Sequence, residues 1–486
     1  LTVARDLLTD SGSIFVQIGA ENVHRVKALL DEVFGPDNSI STISVQKTTS
    51  ARSDVLDNVC DHIAWYAKDL AQLKSRSLLQ IKGFGSYVPT AYGRIELDMF
   101  TRRSAISSEK EGDLPSGGRI YALDNLTRGG EGAAGAKEYE FDGKLFQVNN
   151  GSYKTKAQGM SRLHWANRIE STSARLGYVR YLDDFAAYPL NNLWSDTVSS
   201  FMSDKLYIVQ TNVKIVQRCL LMATDPGDLV LDPTCGSGTT ATVAEQWGRR
   251  WITIDTSRVA LALARARIMG ARYPFYLLAD SREGQIKEAE VTRTAPSTQP
   301  VHGNIRHGFV YERVPHITLR SIANNAEIDV IWDKWQSKME PLRASLNIEL
   351  KKFWRDWEIP REVDDKWPDE AKKLQADWWH SRISRQREID ASIAAKADSE
   401  YLYDKPYENK KSVRVAGPFT VESLSPHRML GVDENDELID TLNEDPAEYT
   451  ARQSFPQMIL DNLKTAGVQQ AHKADRITFT SLMPWP

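Results

Sequence analysis

The chain has 486 residues, of which 41% are hydrophobic and 26% charged, and carries a formal net charge of −4. That length exceeds one compact core and leaves room for roughly two to four domains, while the near-neutral charge excludes a globally basic nucleic-acid binder, so any such surface must be local. Three cysteines, Cys60, Cys219 and Cys235, lie far apart with no Cys-x-x-Cys pair, which argues against a disulfide framework or zinc knuckle and fits a reducing cytoplasm.

In chain order, Leu1, Val3, Leu7 and Leu8 form an amphipathic pattern that reads as the middle of a helix, so the chain is expected to start inside a domain. No basic-then-apolar leader and no run of about 18 apolar residues is present, so neither export nor a membrane span is expected. Ser13-Ile18 (SIFVQI) reads as a strand, and Val23, Val26, Leu30, Val33 and Phe34 recur at helical spacing until Gly35-Pro36 stops them. Ile40-Lys47 and Asp61-Ala67 read as two further strands, making residues 1–70 part of an α/β sheet. From 71 to 200 periodicity fades and turn-formers accumulate, which predicts an irregular α+β insertion.

A clean α/β pattern returns at 201–290, with a helix over Thr211–Ala223, a turn at Asp225-Pro226-Gly227, then strand, loop, helix, strand, helix, strand. APSTQP (Ala295-Pro300) is a linker, GFVYERV (Gly308-Val314) a strand, and 301–400 a mostly helical region that holds seven of the 13 tryptophans: Trp332, Trp335, Trp354, Trp357, Trp367, Trp378 and Trp379. Aromatics at helical spacing predict a packing core or a partner surface. Residues 401–486 are mixed, carry no assignable chemistry, and end on TFTSLMPWP without a solvated tail, as if cut.

The chemistry concentrates in DLVLDPTCGSGTTATVAEQWGRRWITID, Asp228 to Asp255. Leu229–Leu231 is a strand, Asp232-Pro233-Thr234-Cys235-Gly236-Ser237-Gly238 the turn at its carboxyl end, Thr239–Trp247 a helix, and Trp251–Ile254 the next strand, ending in Asp255. Ligands of open α/β sheets bind outside the carboxyl ends of strands, glycines let backbone approach a ligand, and an acid one strand later can accept from ribose hydroxyls. A Gly-x-Gly turn is also often plain packing, and Gly236-x-Gly238-x-x-Ala241 satisfies the dinucleotide fingerprint as well, so a nicotinamide-linked Rossmann oxidoreductase stays open at this point.

DPTCGSGTT, preceded by KLYIVQTNVKIVQR (Lys205-Arg218), resembles the DNA N6-adenine and N4-cytosine methyltransferases. The resemblance implies that Asp232, Pro233, Cys235, Gly236 and Gly238 line an S-adenosylmethionine site, that Gln210, Thr211 and Lys214 belong to the motif just before it, that Asp255 takes the ribose, and that Asp280 sits near the adenine. RDLLTDSGSIFVQIGAENVHRVKALLDEVFG (Arg5-Gly35), an insertion and then the cofactor motif follow the β order of these enzymes and look most like the Mod subunits of type III restriction-modification systems. The fold implied is a Rossmann-like, S-adenosylmethionine-dependent methyltransferase sheet with an α+β target-recognition insertion and a mostly helical C-terminal extension. The partners implied are double-stranded DNA, a restriction or helicase subunit and a second copy of the chain.

In that order the base-reacting Asp/Asn-Pro-Pro-Tyr/Phe tetrapeptide precedes Arg5, and this sequence contains none: Asp445-Pro446-Ala447 lacks the second proline and Tyr273-Pro274-Phe275-Tyr276 the polar first residue. No catalytic residue is therefore assigned. The chain reads as a fragment of a site-specific adenine methyltransferase, inactive alone and weak in cofactor binding because a strand between Leu229–Leu231 and Ser13–Ile18 is missing. A non-catalytic cofactor- and DNA-binding scaffold is the second reading. DNA contact is expected in the basic stretch 144–181, where Glu170 is the only acid, through Lys154, Lys156, Arg162 and Arg168. No metal site is expected, and Trp194 reads either as core or as part of the run leading back to the cofactor motifs.

Overall fold

The computed structural model describes residues 1–49, 55–83, 91–98, 100–130, 135–173, 175–198 and 211–422, together with short pieces between 460 and 483. They gather into two compact units. One combines Leu1–Leu78, Leu190–Glu312 and the segment from Tyr403 on; the other combines Leu79–Pro189 with Arg313–Leu402.

The first unit contains a four-stranded sheet in the order Ser13–Gly19, Cys60–Ala67, Ser39–Gln46, Leu193–Trp194. The first three strands pair antiparallel, with Phe15 opposite Trp65, and the last joins parallel, with Trp194 opposite Val45. Alternation decides which face each side chain takes. On one face Ala64 and Tyr66 meet Leu30 and Phe34 of the Val23–Phe34 helix; on the other Ile43, Val45, Ile63 and Trp65 pack with Ile215, Leu220 and Leu221 of the Val213–Ala223 helix. Trp194 lies in that second core.

Leu229–Asp232 and Arg250–Thr253 form a parallel pair, connected by the Thr239–Gln246 helix. Val243, Ala244 and Trp247 carry this helix into the same core. The opposite face of the pair is open, with Leu229, Leu231, Ile252 and Ile254 between 38% and 52% exposed. Among the described residues, Leu229–Asp232 pairs only with Arg250–Thr253, and Ser13–Gly19 only with Cys60–Ala67. Tyr273–Tyr276 pairs antiparallel with Glu408–Arg414, so part of the 401–486 stretch is sheet.

The second unit is more regular than expected. A five-stranded antiparallel sheet runs in the order Ile169–Ser171, Leu176–Tyr181, Arg119–Asn125, Arg94–Glu96, Arg102–Ser104. The helices Glu327–Leu350 and Asp369–Ala395 do not stand apart from it. Ile322, Ile328, Ile331, Ile389 and Ile393 share one core with Leu126, Met160, Leu163, Ile169 and Leu176. The separate helical region drawn at 301–400 is thereby corrected: from Arg313 on it forms one unit with the insertion and shares this core with it. Trp378 and Trp379 pack with Met339, Leu346 and Ile359, while Trp332 stacks on Trp165 at 4.8 Å, so these tryptophans act as core.

Candidate functional site

The turn after Leu229–Asp232 and the carboxylate after Arg250–Thr253 meet directly. Parallel pairing sets Asp232 opposite Thr253, the Ile254 amide donates to the Asp232 carbonyl at 2.9 Å, and the Cys235 amide donates to the Ile254 carbonyl at 2.8 Å. Asp255 then accepts twice: the Gly236 amide donates to Oδ2 and the Ser257 amide to Oδ1, each at 2.8 Å. One carboxylate thus ties the glycine turn to the start of the Arg258–Gly270 helix. Asp232 shapes its own side of the turn by accepting from the Thr234 amide at 2.9 Å and the Thr234 hydroxyl at 3.1 Å.

The two glycines have different surroundings. Gly236 has φ +51°, and a Cβ there would meet nothing nearer than the Thr234 carbonyl at 3.9 Å, so its open side leaves room for a ligand. Gly238 has φ +74°, and a Cβ there would come within 2.8 Å of the Ala264 Cβ. It lets the Thr239–Gln246 and Arg258–Gly270 helices approach. Arg267 bridges the same place, donating to the Thr239 hydroxyl at 2.9 Å and the Ser237 carbonyl at 3.3 Å; burial pulls its pKa down. Cys235 is buried in the turn, and burial pushes its thiol up. Pro233 is exposed beside it. An open glycine next to a carboxylate fits a nucleoside whose ribose hydroxyls donate, because a carboxylate offers about four acceptor positions and two are taken here.

The remaining expected residues that the structure describes have partners within the protein. Asp280 is buried, and its oxygens accept from the Asn304 amide at 2.8 Å and the His302 amide at 3.2 Å, which hold its pKa below the ordinary value; it closes the 302–304 turn. Lys214 donates to Asp196 at 2.5 Å, and Arg218 grips both oxygens of the same carboxylate at 2.7 and 2.8 Å. The Thr211 hydroxyl donates to Gln17 Oε1 at 3.2 Å. Gln210 lies outside the described residues. Sequence reasoning gave no role to Asp196, Arg218, Ser257 or Arg267; Arg218 closes the Lys205-Arg218 motif and Asp196 closes the Leu193–Asp196 run around Trp194, so those two carried a signal.

In the second unit two of the four expected DNA contacts are corrected. Arg162 donates to both Asp329 oxygens, at 2.7 and 2.8 Å, and to the Ala323 carbonyl at 2.9 Å. Arg168 is 2% exposed and pairs with the equally buried Asp184 at 2.5 Å. Both guanidiniums are internal ties, unavailable to a phosphate. Lys154 and Lys156 are exposed. Among the described residues no cluster of His, Cys, Asp and Glu could hold a metal, and no helix is long and apolar enough to cross a membrane.

Comparison with known proteins gives consistent relatives. A family model described as DNA methylase, N6_N4_Mtase, matches residues 1–266. The type II methyltransferase M.EcaI of Enterobacter cloacae is 26% identical over 292 residues, covering 56% of this chain and 57% of that protein. The type II methyltransferase M.BamHI of Bacillus amyloliquefaciens is 36% identical over 80 residues, covering 16% of this chain and 19% of that protein. The chain therefore spans little more than half the length of the first of these relatives and about a fifth of the second. Among solved structures, the M1.HpyAVI–SAM complex aligns over 54% of this chain and 78% of its own, with a TM-score of 0.27 and 12% identity.

Proposed function

The chain belongs to the N6/N4 DNA methylase family, and from that premise we propose that it is the donor-binding and DNA-recognition part of a site-specific methyltransferase of a restriction-modification system. The methyl donor is S-adenosylmethionine, which supplies an electrophilic methyl group on a sulfonium. The observation that carries the reading is the Gly236 amide bound to Asp255 Oδ2 beside the open side of Gly236. Asp255 holds the turn and keeps acceptor capacity for ribose hydroxyls, while Asp232, Pro233, Cys235 and Gly236 line the crevice. Gly238 supports it by packing. Thr211 and Lys214 stand with Gln210 in the segment leading to it.

The target is the exocyclic amine of a base, adenine N6 by the resemblance of the motifs, with the type III Mod order supported by the succession of Arg5–Gly35, insertion and cofactor turn. A strand bearing the base-binding tetrapeptide would pair with the edges of Ser13–Gly19 and Leu229–Asp232, each of which has one neighbour among the described residues. Unpaired edge groups cost about 1–3 kcal/mol each where they are buried, so that strand would also steady the donor crevice. The test is a titration of S-adenosylhomocysteine against the chain, with NAD in parallel, and labelled-methyl transfer to duplex DNA by this chain and by one extended upstream. We expect binding of the first ligand only, and transfer by the extended protein only. Binding of NAD in place of S-adenosylhomocysteine refutes the reading. The second reading, a non-catalytic cofactor- and DNA-binding scaffold, is favoured by S-adenosylhomocysteine binding with transfer by neither protein.

A further inference from the structure

A cavity of about 260 Å³ in the second unit has more positive charge around it than its own carboxylates answer. Lys82, Lys154 and Arg180 line it, with Asp124 as the one carboxylate among the lining residues. Asp124 is already committed to Arg180, accepting from Nε at 2.6 Å and Nη2 at 3.2 Å. Lys82 has no carboxylate at ion-pair distance among the described residues. Its ammonium donates to the Phe185 carbonyl at 2.6 Å and lies over the rings of Tyr92 and Phe185 at 5.5 and 5.6 Å. Burial, and then the neighbouring Arg180, lower its pKa against the opposing pull of Asp184, which is itself paired with Arg168. Lys154 is exposed and makes no ion pair among the described residues.

An ordinary surface lysine sits in water and needs no partner; Lys82 is instead half-buried beside another cation, an arrangement that an anion in the cavity would favour. The walls are built for more than a small ion. The His316 ring stacks on Phe185 at 4.1 Å with its Nδ1 3.3 Å from Glu400, and Tyr178, also lining the cavity, keeps a buried hydroxyl that no described residue satisfies. The volume is several times the roughly 30 Å³ share of a water molecule, enough for a phosphate with part of its sugar.

We propose that this cavity seats a backbone phosphate of the bound DNA, with Lys82 and Lys154 supplying the charge, Arg180 fixed by Asp124 forming one wall, and Phe185 with His316 the other. The proposal rests on the methylase reading for the source of the phosphate. It is tested with the full chain, a mixed-sequence DNA duplex and fluorescence anisotropy over a range of salt. Lys82→Gln should make the slope of log affinity against log salt shallower by about 1 and weaken every duplex sequence by a common factor; Lys154→Gln, on an exposed residue that leaves the fold intact, should act in the same direction, and Lys372→Gln outside the cavity should not. Unchanged slopes in both cavity variants, with the unaltered chain binding DNA, overturn the seat and leave the methylase reading standing. Should the unaltered chain bind no duplex, the DNA reading fails for this chain. The seat is then decided by thymidine 5′-monophosphate: binding that Lys82→Gln abolishes supports a nucleotide site, and no binding overturns it.

Discussion

Gly236 and Gly238 stand two residues apart in one turn and answer to different constraints. Both have positive φ, so an alanine at either costs about 1–2 kcal/mol of backbone energy. At Gly238 the new methyl also strikes Ala264, adding about 1–3 kcal/mol of overpacking. Gly238→Ala should therefore lower the melting temperature clearly, whereas Gly236→Ala should lower it less and cut S-adenosylhomocysteine affinity more; calorimetry of both variants checks the contrast. At Asp196 burial acts to raise the pKa, but bonds from Arg218 and Lys214 prevail and bring it from 3.8 to about 2. Because the folded value lies below the unfolded one, this stabilisation is fully present above pH about 4 and is lost as pH falls through about 2. In acid melts the stability gap between the protein and its Asp196→Asn variant should close over that window. Arg168→Met should cost about 3–5 kcal/mol in urea denaturation, since it strands Asp184 as a buried charge. The sequence showed Arg162 and Arg168 as cations in a basic stretch. It could not show Asp329, 167 positions away, or that Asp184 would be buried with its partner.

Elements with several periods of pattern were legible. The Ser13–Gly19 strand, the Val23–Phe34 helix and the succession from Leu229 to Thr253 stand where the apolar runs, the helical spacing and the Gly35 stop placed them. The helix expected from Thr211 begins at Val213 because the Asn212 side chain caps it, accepting from the Lys214 amide at 2.8 Å. The insertion read as irregular because three of its five sheet strands, Arg94–Glu96, Arg102–Ser104 and Ile169–Ser171, are three residues long, too short for an alternation to register. The tryptophan-rich helices were legible as helices but not in their company. Trp378 is fully buried among Met339, Leu346 and Ile359, so Trp378→Ala should destabilise the second unit by about 3–5 kcal/mol, read as an early transition in thermal melts.

At the scale of the whole molecule the chain leaves the first unit at Leu78, returns at Leu190, leaves again after Glu312 and returns at Tyr403. A boundary that depends on contacts between residues hundreds of positions apart has no local signature. A chain ending at Glu312 should consequently not behave as a trimmed two-domain protein: it strips Ile322, Ile328, Ile331, Ile389 and Ile393 from a core whose other half remains, and limited proteolysis should cut within Leu79–Pro189 much faster than in the full chain. The bare side of the Leu229–Asp232 and Arg250–Thr253 pair bears on how the protein behaves in a tube. Four aliphatic side chains in contact with solvent on one flat patch give a fluorescent probe of greasy surfaces, such as anilinonaphthalene sulfonate, somewhere to settle without any denaturant. The dye's emission should fall when Leu231 and Ile252 are replaced by threonine, and the same pair of changes should raise the concentration at which solutions turn cloudy.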